Sequence, residues 1–223
     1  MLEVLYEDNH MIVCVKPVGV LSQADATGDP DMLTLVADYL REKYQKPGNV
    51  FVGLVHRLDR MVGGVMVFAK TSKGASRLSE QVRNHTFQKT YHALVCGEPS
   101  AQSGTFHDYL LKNEKTNMVS VVPKGTAGAK EAILDYKVLK KHVMDGRTVS
   151  LVEVNLHTGR PHQIRVQFAS RKMPLVGDHR YGKGDAPSVA LWSYGITLLH
   201  PTKKEPMTFC KEPLTWLQNT TIL

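Results

Sequence analysis

The stretch His56-Arg57-Leu58-Asp59-Arg60-Met61-Val62-Gly63-Gly64-Val65-Met66-Val67-Phe68-Ala69-Lys70 decides how this 223-residue chain is read. It sets one carboxylate, Asp59, between the guanidinium groups of Arg57 and Arg60, then turns through a glycine pair into an apolar run with no charge before Lys70. Flanking cations favour the charged form of an acid, and a strand that follows directly would hold it rigidly at a sheet end. Val65 to Ala69 is apolar on both faces, which predicts a strand inside a sheet. Taken alone, the segment is equally consistent with a solvated turn carrying an ordinary ion pair.

Upstream, Val4-Leu5-Tyr6 and Met11-Ile12-Val13-Cys14-Val15 flank Glu7-Asp8-Asn9-His10, which predicts strand, turn and strand, closed by Lys16-Pro17-Val18-Gly19. A polar loop from Gln23 leads to a helix capped by Asp31, with Leu33, Val36, Leu40 and Tyr44 as its core stripe and Pro47-Gly48 at its end. Downstream of the central stretch, Ser72 is expected to cap a second helix. Ala75, Leu78 and Val82 line its core face, and Lys73, Arg77 and Arg83 are open to solvent or phosphate. Gln88 to Gly97 opens a further strand, and Gly104 to Lys130 reads as a loop-rich excursion with scattered lysines. Ile133 to Val143 and Thr148 to Leu156 form a hairpin about Asp145-Gly146. The hairpin delivers the chain into His157-Thr158-Gly159-Arg160-Pro161-His162-Gln163-Ile164-Arg165-Val166-Gln167. Pro161 suits a first helical turn there, Ile164 and Phe168 face the core, and Arg165 points differently from that pair.

Composition narrows the class. The chain has 28 Lys and Arg against 21 Asp and Glu, a formal charge of +7, which is compatible with a polyanionic partner. Three cysteines, Cys14, Cys96 and Cys210, are odd in number and widely spaced, which argues against a disulfide scaffold or a zinc ribbon and fits a reducing compartment. No leader pattern and no apolar run of membrane-spanning length are visible, so a soluble cytoplasmic protein is expected. His157 and His162 lie five apart with Pro161 between them, which is not a helical ligand pair, and no metal is expected. A conventional glycoside hydrolase needs two cooperating carboxylates, whereas the motifs offer Asp59 clearly and Asp178 only within a turn.

Taken together, the motifs resemble the RNA pseudouridine synthases of the RluA family. His56-Arg57-Leu58-Asp59 with the strand ending Ala69-Lys70 resembles the family's central motif, and Lys16-Pro17-Val18-Gly19 its first. Lys89-Thr90-Tyr91, Thr158-Gly159-Arg160-Pro161-His162-Gln163-Ile164-Arg165, and Pro174 to Asp178 with Tyr181-Gly182 follow in the family's order. Leu191-Trp192-Ser193-Tyr194 with His200-Pro201 resembles the closing strand and turn. Val62-Gly63 departs from the usual Thr-Ser and removes two hydroxyls.

The resemblance implies an α+β pseudouridine synthase fold: one catalytic domain over 1–223, with a mixed, largely antiparallel central sheet in two lobes, flanking helices and an active-site cleft. It implies Asp59 as the catalytic carboxylate, Arg165 as its partner and Tyr91 against the target base. Arg57, Arg60, Lys16, Arg160 and His162 would contact RNA, with Arg57 filling the gap left by an extruded base. Leu191 and Ile164 would wall the base pocket. The expected substrate is ribosomal or transfer RNA, with no cofactor, no metal, no membrane association and a monomeric state. A catalytically silent RNA-binding protein on the same fold is the alternative; the Val62-Gly63 departure favours it, and the retained Asp, Tyr and Arg set opposes it.

Overall fold

The computed structural model describes residues 2–144 and 146–213. Asp145 of the expected hairpin turn lies outside the described residues. The chain divides into two compact units, one formed by residues 2–89 with 193–212 and the other by residues 90–192.

In the first unit β1 (Glu3–Glu7), β2 (Met11–Lys16) and β4 (Gly63–Ala69) pair antiparallel in that order, and β10 (Leu191–Leu199) follows β4. Two short strands that the sequence does not announce, β3 (Gly53–Leu54) and β11 (Pro206–Cys210), pair with β4 and β10. Every residue of β2 and β4 is buried, as their apolar composition requires for all but Lys16 at the end of β2. Strand alternation sends Met11, Val13, Val65, Val67 and Ala69 into one cluster with Leu78 of α2 (Ser72–Arg83), leaving Met66 and Phe68 for the opposite face. Gly64 is in the left-handed region at φ 121°, and a Cβ there would run into the backbone of Ser193. Only glycine lets β10 pass so close.

Helix α1 (Met32–Tyr44) begins where expected, with Asp31 accepting from the Thr34 N–H. Its buried stripe is Met32, Val36 and Leu40, however, one residue earlier than the predicted Leu33 start, while Tyr44 is exposed. The Tyr44 hydroxyl donates to Glu7, which Lys43 and Lys70 also engage, so its ring is held by polar partners rather than by the core. In α2 the cap is Thr71, not Ser72, because the Thr71 hydroxyl accepts from the Gly74 N–H. The Arg77 guanidinium donates to the Pro201 carbonyl at 2.9 Å.

The second unit is an antiparallel sheet in the order β5 (Gln88–Cys96), β9 (Arg147–Leu156), β8 (Lys130–Met144), β6 (Ser103–Asn113) and β7 (Met118–Val122). Residues 104–130 were expected to be mostly loop; instead β6 and β7 form a hairpin, and β6 pairs along β8. Its apolar residues do not keep to one face, since Tyr109, Leu111 and Val122 stand opposite Phe106, Leu110 and Val119, which are buried. Phe106, Tyr136 and Phe168 pack with ring centroids 4.8 to 5.9 Å apart, which seats α3 (Gln163–Ser170) on the sheet. Helix α3 starts after Pro161, with His162 in the left-handed conformation as its first boundary residue, so Pro161 precedes the helix.

Candidate active site

In the first unit Asp59 lies in the loop that enters β4, and the segment after β2 grips that loop on both sides of it. Ser22 is buried; its hydroxyl donates to the Leu58 carbonyl at 2.8 Å and accepts from the Leu58 N–H at 3.0 Å. One residue beyond Asp59, the Arg60 carbonyl accepts from the Gly19 N–H at 2.9 Å and from Lys16 Nζ at 3.0 Å. The Asp59 carbonyl accepts from the Val62 N–H at 3.0 Å, closing the turn.

Lys16, expected on the RNA-facing surface, is instead wholly buried. Its ammonium donates to the carbonyls of Pro17 (3.0 Å), Val20 (2.5 Å) and Arg60 (3.0 Å), which uses its three protons and leaves none for a phosphate. Burial, opposed by the nearby Asp59 carboxylate and reinforced by Arg60, brings its pKa from 10.5 down to about 8. A charge is tolerated there because three carbonyl dipoles replace water.

His56 is also buried, and its Nε2 accepts from the Val67 N–H at 3.1 Å, which places the ring proton on Nδ1. Among the described residues Nδ1 has no hydrogen-bond partner. Burial, with Lys89 adding to it, pushes the imidazole down to about 3. This neutral ring ties the start of the motif to β4. Arg57 is exposed. Arg60, also exposed, turns to Asp29 at 2.8 Å and to the Gly19 carbonyl at 3.1 Å.

In the second unit Tyr91 is a buried residue of β5 facing Val154 of β9. Arg165, on the first turn of α3, was expected to point away from the core, yet it is buried. Its Nε and one terminal nitrogen each donate to a different oxygen of Asp178 at 2.8 Å. Asp178 is fully buried and also accepts from the backbone N–H groups of Arg180 and Tyr181. Burial alone would raise its pKa, but the hydrogen bonds and charge of Arg165, with those two N–H groups, hold it below the ordinary carboxylate range.

The Arg165 guanidinium lies 5.3 Å from the centroid of the Tyr181 ring, whose hydroxyl accepts from the Val119 N–H and bonds to His162 Nδ1 at 2.8 Å. Arg160 folds back to the Glu131 carbonyl at 2.7 Å, and Ile164 and Leu191 are buried. Asp178 and Tyr181 are the residues that sequence reasoning underrated. The signal was the turn Gly177-Asp178 with Tyr181-Gly182, read there only as a recurring motif. His157 pairs with Asp135 at 2.6 Å, so it and His162 serve different partners. Among the described residues no group of three or more His, Cys, Asp or Glu could hold a metal ion.

Comparison with known proteins bears on what this geometry is for. An uncharacterized RNA pseudouridine synthase of Bacillus subtilis is 33% identical over 92% of this chain, and the chain spans 66% of that protein's length. The tRNA pseudouridine synthase C of Vibrio cholerae is 31% identical over 93% of this chain and 89% of its own. The fold is that of the solved human RNA Pseudouridylate Synthase Domain Containing 1, with a TM-score of 0.78 at 22% identity over 99% of this chain and 87% of that one. The family model described as RNA pseudouridylate synthase matches residues 10–170, a span that contains Asp59, Tyr91 and Arg165, and the chain belongs to that family.

Proposed function

We propose that this protein isomerises particular uridines of ribosomal or transfer RNA to pseudouridine, with Asp59 as the catalytic carboxylate. The reaction breaks the bond from N1 to ribose C1′ and forms one from C5 to C1′. The C5 proton is lost and N1 gains one, so the product has the mass of the substrate and no outside reagent is consumed. What such a reaction asks of a protein is one carboxylate at the sugar or the base, as in covalent glycoside chemistry, and a group to take the C5 proton. The observation that carries the reading is the fixing of the loop at Leu58 and Arg60, on either side of Asp59, in a chain of this family. An acid held within a few tenths of an ångström on a rigid loop suits attack on a single carbon.

The remaining roles follow the family resemblance. Tyr91 packs against the target base and assists proton removal, and Arg165, aligned by Asp178, orients the carboxylate. Ile164 and Leu191 wall the base pocket, while Arg57, Arg60, Arg160 and His162 meet the RNA. Exposed Arg57 suits a guanidinium plane that replaces the extruded base in the stack. Purified protein incubated with unmodified tRNA and rRNA transcripts, followed by digestion to nucleosides, tests the reading. Pseudouridine should form with wild type and be absent with Asp59→Asn. No pseudouridine in any transcript or in total RNA lacking the modification would overturn it.

A further inference from the structure

We propose that Ser22 is a positioning residue for Asp59, acting through the backbone of Leu58. Its hydroxyl both donates to and accepts from one backbone residue of the loop: 2.8 Å to the Leu58 carbonyl, 3.0 Å from the Leu58 N–H. Both residues are buried, so water does not offer substitutes. Ser22 is itself anchored. The neighbouring Leu21 accepts from the Met32 N–H at 2.8 Å and donates to the Pro30 carbonyl at 3.1 Å, which fixes it to the start of α1.

Across Asp59 the Arg60 carbonyl is held by Gly19 and Lys16, so the acid is suspended between two clamps of different chemistry. The Lys16 clamp lies beyond Asp59 and makes no hydrogen bond to the backbone of residue 58, whose φ and ψ set the direction of the Asp59 Cα–Cβ bond. A single hydroxyl bonded to both the N–H and the carbonyl of Leu58 fixes that direction. Misplacement of a reacting atom by about 1 Å costs on the order of 100-fold in rate.

This inference rests on Asp59 being the catalytic carboxylate, and the test separates the two. In steady-state turnover of a substrate transcript, Ser22→Ala should lose roughly 10- to 100-fold in kcat while its RNA affinity and KM stay at wild-type values. Ser22→Thr, which keeps the hydroxyl, should recover most of the rate. Rates are compared well below each variant's melting temperature and per folded molecule, so that a purely structural loss leaves kcat unchanged. If Ser22→Ala does not fold, Ser22→Cys, whose thiol is a weak donor and acceptor, is read in its place.

Amide exchange of Leu58 in the wild-type protein provides a reading independent of any variant: it should be slow despite the irregular loop. A wild-type kcat in the folded variant, or exchange at Leu58 as fast as in an exposed loop, overturns the proposal. Should Asp59→Asn retain turnover, the reading of Asp59 fails instead.

Discussion

Acidification from pH 7 to pH 5 should destabilise this protein through His56, and the size of the loss follows from its burial. In the folded chain the imidazole is pushed from 6.5 down to about 3, because it is enclosed and because Lys89 adds positive charge. The unfolded chain therefore binds a proton below pH 6.5 that the folded chain refuses, so stability is full above pH 6.5 and falls as pH drops through the window from 6.5 to 3. Each pH unit in that window costs about 1.4 kcal/mol, or about 2 kcal/mol by pH 5.

For a chain of this size that corresponds to a melting temperature lower by roughly 4 to 8 °C. Glu7 does not confuse the reading. Burial raises its pKa, but its hydrogen bonds with Lys43, Lys70 and Tyr44 prevail and hold it at about 2, so its own contribution is lost only below its ordinary 4.5. The assay is thermal melting at pH 7, 6 and 5 for wild type and for His56→Asn, which removes the titrating ring. The variant should start lower, having lost the imidazole that accepts from Val67, and should decline less steeply between pH 6.5 and 5. Parallel declines in the two proteins would refute the reasoning.

Three further outcomes are expected. Because Lys16 falls from 10.5 to about 8, the folded chain binds fewer protons than the unfolded one between those values, so this group adds stability as pH rises from 8 to 10.5, by about 3 kcal/mol in all. Lys16→Met should lack that rise in urea unfolding series, and a rise equal to wild type would contradict the burial of the charge. Asp178→Asn leaves Arg165 buried with an incomplete partner and should cost about 3 to 5 kcal/mol by the same unfolding measurement. It should also lower kcat, and an unchanged melting curve would show that the pair is not enclosed. Arg57→Ala should lower kcat and leave the slope of log K against log salt at its wild-type value, as base replacement requires, a result read by titration at several salt concentrations. A slope reduced by about 1 with unchanged kcat would show a phosphate contact instead.

The elements set by local pattern were legible. Val65 to Ala69 reads as an internal strand because it is apolar on both faces, and Asp31 announces α1 because a capping carboxylate must precede the first turn. The hairpin of β6 and β7 was not, since polar Asp108 and Lys112 share the inner face with Phe106 and Leu110 while Tyr109 and Leu111 stand on the other, so no apolar period of two marks it. Groups whose environment is assembled from distant residues were also hidden. Lys16 looks like a surface cation until the carbonyls of Pro17, Val20 and Arg60 enclose it. Arg165 reads as pointing differently from Ile164 and Phe168, and its burial is not visible until Asp178, thirteen positions on, pairs with it. Ser22 carries no signal at all without Leu58, thirty-six positions away. The motif around Asp59 was visible as chemistry, while the clamps that fix it were visible only in the fold.

The central claim, that Asp59 carries out the isomerisation, is tested most directly with a substrate transcript bearing tritium at uridine C5. Forming the C5–C1′ bond releases that hydrogen to water, so tritium appears in the solvent in step with product. Wild-type protein should release one equivalent per target site, and Asp59→Asn should release none while binding the RNA as before. Release by Asp59→Asn at the wild-type rate would contradict the account.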